Sequence, residues 1–138
     1  MKKLLPDEIG GAERTDAKGQ RNGMFGINIA QAEGKYRDGD KRADVSIVDV
    51  GGIGLALRSM ANWSQMEIDN ESDDGYERTT EIDGYPALVK WNDRNQRGEI
   101  AVLVNNRFIV SIKGRNIDMD DLEDALDDID LDDLEDLQ

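Results

Sequence analysis

The chain contains no cysteine and no histidine. That absence excludes disulfides, thiol nucleophiles, thiolate or imidazole metal sites and histidine-based proton transfer. Most common hydrolase and oxidoreductase constellations go with them. Carboxylate chemistry, lysine Schiff bases and oxygen-ligated Ca²⁺ or Mg²⁺ remain open. Proline is down to two residues and aromatics to 5%, so the core must rest on Val, Ile, Leu and Met. No apolar run approaches the ~20 residues of a membrane span. The opening Met1-Lys2-Lys3-Leu4-Leu5 has the character of a secretory signal, but Pro6-Asp7-Glu8 follows before an apolar region develops.

The length of 138 residues fits one domain, large enough to bury roughly two thirds of its unfolded surface. The formal charge of −14 is unevenly spread, because residues 118–138 hold 12 of the 31 acids and none of the 17 lysines and arginines. The body is therefore close to neutral and the C-terminal end strongly acidic. No basic run marks a nucleic-acid footprint along the chain.

Residues 1–23 are Gly-rich and polar without a clear period, and admit one short strand. The fragment Gly11-Ala12-Glu13-Arg14-Thr15 recurs as Gly75-Tyr76-Glu77-Arg78-Thr79. Beyond it the match decays, so coincidence is the default reading. Phe25, Ile27 and Ile29 alternate, then Ala30, Ala32, Gly34 and Tyr36 alternate in the opposite phase, which predicts a strand with a bulge near Ala30. Asp38-Gly39 signals a tight turn into the partner strand Val45–Val50. Leu55–Met66 reads as a helix with Ala56, Met60 and Trp63 on one face, and Asp69–Gly75 as a polar loop.

A meander follows. Thr79–Asp83, the Ala87–Trp91 alternation, Ile100–Val104 and Phe108–Ile112 read as strands, with Asn105-Asn106 as a two-residue turn. Ala101 and Leu103 make the second face of their strand apolar as well. Asp118 is a good N-cap. Met119, Leu122, Leu126 and Ile129 then repeat at helical spacing. Leu131, Leu134 and Leu137 form a shifted set.

Several motifs carry a functional and a structural reading. Gly52-Ile53-Gly54 sits where a dinucleotide loop would, but Leu57 stands at the third glycine position and the strands downstream look antiparallel; a strand-to-helix turn explains the glycines. Asn70–Glu81 imitates a Ca²⁺ loop, with Asn70, Ser72 and Asp74 at positions one, three and five, Gly75 at six and Glu81 at twelve. Arg78 at position nine favours a solvated turn instead. Lys90 and Lys113 lie in strands, but a Schiff-base role requires burial that the pattern does not show. Trp63 and Trp91 read as core or sheet-face residues. The acidic end reads first as a helix docked by its apolar stripe, second as a docking element for a basic partner, third as a weak cation sink. No catalytic, cofactor-binding or metal residue is singled out.

From Ala43 onward the order of elements resembles the PsbP/Mog-like scaffold. The matching features are a strand ending in Asp49, a helix, an acidic loop, and a strand leading into Gly84-Tyr85-Pro86-Ala87. Val89-Lys90-Trp91, two more strands and a C-terminal helix follow. The chain also resembles an uncharacterised bacterial envelope family, most strongly over Gly75–Leu137. The likeness implies a fold and a non-catalytic, binding role. The resulting expectation is an α+β domain at 24–130, an antiparallel sheet of five to seven strands covered by two main helices. An N-terminal extension (1–23) precedes it and an acidic end (131–138) follows. Its expected function is that of an accessory or binding domain of the bacterial cell envelope, with no cofactor, no nucleic acid, and an unknown protein partner through the acidic helix. A mature periplasmic or lipoprotein domain is favoured over a cytoplasmic protein. The alternative is an enzyme using carboxylates or a hard metal ion.

Overall fold

The computed structural model describes residues 5–24, 27–49, 67–82, 84–104 and 108–129. These form nine strands and, among the described residues, one helix. The strands are β1 (Glu8–Ile9), β2 (Ala12–Met24), β3 (Ile27–Asp38), β4 (Lys41–Asp49), β5 (Asp69–Ser72), β6 (Gly75–Ile82), β7 (Tyr85–Asn92), β8 (Arg97–Val104) and β9 (Phe108–Arg115). The helix is α1 (Met119–Asp128). All strands join one sheet in the order β1-β2-β3-β4-β9-β8-β7-β6-β5, and every pairing is antiparallel. Two meanders, β1–β4 and β5–β9, thus meet at the β4–β9 seam. The recurrent five-residue fragment occupies matching places, covering the start of β2 in one meander and of β6 in the other.

This corrects the expected architecture of five to seven strands under two main helices. The additional strands come from polar stretches with no apolar alternation: β2, rich in Gly, Lys and Arg, and β5, which is exposed throughout. Such segments are strands because neighbouring strands satisfy their backbone, whatever their own propensity. The expected helix Leu55–Met66, with Gly52-Ile53-Gly54 and Trp63, lies outside the described residues. No bulge interrupts β3 at Ala30, whose pairings run unbroken on both sides. The irregularity lies instead in β2, between Arg14 and Asp16.

One face of the sheet carries the core. Val45, Ile47, Ile100, Val102, Val110 and Ile112 from the three central strands are almost fully buried, and registered neighbours place them side by side. At one end of this face two glycines, Gly98 and Gly114, pair across β8 and β9. Leu122 of α1 drops into the depression they leave. A Cβ on Gly98 would stand 2.7 Å from Leu122 Cδ1, and one on Gly114 2.7 Å from Leu122 Cδ2. Ala125, Leu126 and Ile129 complete the docked side of the helix, as its apolar stripe requires. Asp118 occupies the N-cap in extended conformation without a side-chain capping bond.

The N-terminal segment seals the neighbouring part of the core with Leu5, Ile9 and Ala12. Tyr36, 2% exposed, reaches it by donating its hydroxyl to Pro6 O at 2.5 Å. Burial pushes this phenol up to about 12.

Candidate anion-binding face

The opposite, outer face of the sheet changes character from one end to the other. At the far end Leu88, Ala101, Leu103 and Ile109 are buried although they stand apart from the main core. Serines 46 and 111 pair across β4 and β9 in the middle. Beyond them the face is charged.

The first charged row runs across seven strands in strict alternation. Asp16 is paired with Lys35, Lys35 with Asp44, and Asp44 with Lys113. Lys113 is then paired with Glu99, Glu99 with Lys90 and Lys90 with Glu77. Opposite charges on neighbouring strands stabilise a sheet. Of these pairs, Lys90 and Glu77 close to an ion pair of 4.0 Å. Each carboxylate of the row has a lysine on a neighbouring strand rather than another carboxylate.

The next row, two residues along each strand, carries four arginines, flanked by Glu13, which is paired with Arg37, and by Asn92, which is paired with Arg97. Arg37 is paired with Arg42, Arg42 with Arg115 and Arg115 with Arg97. Four guanidinium groups thus project from the adjacent strands β3, β4, β9 and β8, and all four side chains are exposed. Among the described residues none of them makes an ion pair. Neighbouring strands lie ~4.8 Å apart, so the row spans about 14 Å. It borders a groove of about 570 Å³ whose walls include Arg42, Asp44, Lys90, Arg97, Lys113 and Arg115.

The turns that carry the row are tied together. Gly39 and Asp40 form the two-residue connection between β3 and β4, with Gly39 at φ 59°, the left-handed conformation that hairpin turns demand. Asn116, also left-handed at φ 59°, donates its backbone N–H to Gln96 O at 2.8 Å and its side-chain amide to Asp40 O at 2.8 Å. One residue therefore links the β3–β4 turn, the β7–β8 loop and the end of β9, holding the ends of all four arginine-bearing strands in fixed relation.

The residues weighed from the sequence fall differently. The stretch Asn70–Glu81 does not coil as a cation loop: it is a hairpin in which Asn70 opposes Glu77. Glu81 lies four residues further along β6, roughly 14 Å away. Lys90 and Lys113 belong to the charge ladder, and neither is buried. Trp91 stands on the core side, half-exposed, and donates its indole N–H to Asp93 at 2.6 Å. The acidic residues of α1 lie on its outer side. No pattern along the chain marks the arginine row, because its members are separated by 5, 55 and 18 positions and are gathered only by strand pairing. The part that was legible is the Asp38-Gly39 turn signal, which places Arg37 near Arg42. No helix among the described residues is long and apolar enough to cross a membrane. No protein-family model, curated protein or solved structure matches the chain.

Proposed function

We propose that the chain is a non-catalytic binding domain that captures an anionic partner on the arginine row of its outer sheet face. The observation that carries this reading is the registered placement of Arg37, Arg42, Arg115 and Arg97 on four adjacent strands. Like charges directly opposite each other are destabilising, by a few tenths to about 1 kcal/mol per pair. The row has three such pairs, one registered carboxylate in Glu13 opposite Arg37, and no ion pair among the described residues, while the adjoining row alternates in sign. A ligand with repeated carboxylates or phosphates relieves that repulsion, and arginine forks bind such groups bidentately.

The ladder supports the non-catalytic part of the reading. Acid–base catalysis by carboxylates relies on environments that drive their proton affinities apart. Asp44, Glu99 and Glu77 are instead each placed beside lysines. The placement of such a domain in the bacterial cell envelope is supported by the resemblance of residues 43 onward to envelope proteins, and by that alone.

The test is titration with poly-L-glutamate at low ionic strength. Charge-assisted contacts contribute about 1.5 kcal/mol or more each, which is about tenfold in affinity. Arg97→Gln with Arg115→Gln is therefore expected to weaken binding about a hundredfold, whereas Lys90→Gln leaves it nearly unchanged. Equal losses in the two variants would show that the row has no special role.

A further inference from the structure

The arginine row has a length and a spacing as well as a charge, and both match an element of the same chain. α1 is ten residues long, hence about 15 Å, against about 14 Å for four strands. Its exposed acids, Asp120, Glu123, Asp124, Asp127 and Asp128, recur at three and four residues. They form one stripe with a mean repeat of about 5.4 Å along the axis, close to the ~4.8 Å between arginine-bearing strands. An extended acidic peptide presents same-face side chains about 6.8 Å apart and falls out of step with the row.

The helix cannot reach the arginines of its own sheet. Leu122 anchors α1 on Gly98 and Gly114 of the core face, and the arginines stand on the opposite face of those same strands. The acidic stripe points away from the sheet altogether. It is also uncompensated: the helix has no basic residue in its last turn, where Asp127 and Asp128 stand, and negative charge there opposes the helix dipole. One copy thus presents, on opposite sides of one sheet end, an acidic rod and an arginine row whose one registered carboxylate among the described residues is Glu13, opposite Arg37 at the row's end, with no ion pair to either.

We propose that the arginine row receives the acidic stripe of α1 from a second copy of the chain. The proposal rests on the anion-binding reading of the row and adds the identity of the occupant. Because donor and acceptor surfaces lie on opposite faces, the contact is head-to-tail and does not close in a pair. Each added copy leaves one row and one helix free, so association grows with concentration.

Two variants of the full chain decide it, both altering exposed residues. Arg97→Gln with Arg115→Gln neutralises half of the row and keeps the acidic helix; Asp124→Asn with Asp127→Asn weakens the helix stripe and keeps the row, without creating a new complementary pair. In analytical ultracentrifugation the unaltered chain is expected to gain mass with concentration, and each variant alone to remain a monomer. An equimolar mixture is expected to form a one-to-one pair that grows no further, since the intact helix of one variant docks on the intact row of the other. A mixture that stays monomeric would overturn the proposal, as would self-association of either variant alone. If the unaltered chain is monomeric throughout yet binds poly-L-glutamate through the row, the anion-binding reading stands and the second copy is excluded.

Discussion

Replacing Gly114 with alanine adds one methyl group, and the structure fixes where it goes. The new Cβ would stand 2.7 Å from Leu122 Cδ2 and 3.4 Å from Cδ1. A leucine tip usually yields to such pressure by turning. Here it cannot, because Leu122 Cδ1 already faces Gly98, where a Cβ would also find it at 2.7 Å, and the side chain is fully buried. Movement away from one glycine drives it toward the other. Overpacking of this kind costs about 1–3 kcal/mol. Leu122→Ala removes the wedge and leaves a cavity, at a cost of about 2–5 kcal/mol. In the double variant the methyl at 114 enters space that leucine has vacated. It is therefore expected to be no less stable than Leu122→Ala alone. The corresponding coupling of about 1–3 kcal/mol is of the size seen between residues in direct contact. Urea unfolding of the four proteins measures it directly. Strictly additive losses, or a neutral Gly114→Ala, would show that α1 is not seated in the glycine depression.

Further outcomes follow from the same structure. Tyr36 has its phenol raised from 10.0 to about 12 by burial, so the folded state holds a proton that the unfolded state releases first. The associated stability, about 2–3 kcal/mol, is fully present below pH 10 and falls as pH rises toward 12. Tyr36→Phe should cost about 1 kcal/mol at neutral pH through the lost bond to Pro6 and flatten this alkaline decline, read by thermal melts from pH 8 to 12. Gly75→Ala would bring a Cβ to 1.9 Å from Trp91 O, a backbone clash that no rotamer relieves; hydrogen exchange should show β5 and β6 opening while β8 and β9 stay protected. Asn116→Ala removes the side-chain bond to Asp40 and strains a left-handed residue, costing about 1–3 kcal/mol. It should also weaken polyanion binding although it carries no charge. A chain ending at Asn116 loses Leu122 and Leu126 from the core and should be molten by near-ultraviolet circular dichroism, whereas one ending at Asp130 should unfold close to the full length.

What the sequence discloses depends on how far each feature reaches. Local periodicity is enough for the apolar strands: the alternations around Val45, Val89, Val102 and Val110 all fall in strands, and the Met119–Ile129 stripe docks as its spacing requires. Strands made of polar residues leave no such trace, which is why the stretch of β2 around Gly19 and Gln20 reads as an extension with at most one short strand, and Asn70 in β5 as loop. Their conformation is dictated by the neighbour and not by their own side chains. The arginine row is hidden for a further reason, since it depends on register. Val104 is paired with Phe108, so three residues separate them. The two-residue turn suggested by Asn105-Asn106 would slip the register by one and send Arg97 and Arg115 to opposite faces. The seam between β4 and β9, which joins Arg42 to Arg115 across more than seventy residues, has no local signal at all.

The most direct test is a nuclear magnetic resonance titration of the full chain with poly-L-glutamate, following the side-chain Nε–H signals of the arginines. Arg37, Arg42, Arg97 and Arg115 are expected to shift together with one midpoint, and added salt to reverse the shifts. Arg14 and Arg78, on the other face of the sheet, should stay in place. Shifts shared equally among all arginines, or confined to residues outside the row, would contradict this expectation.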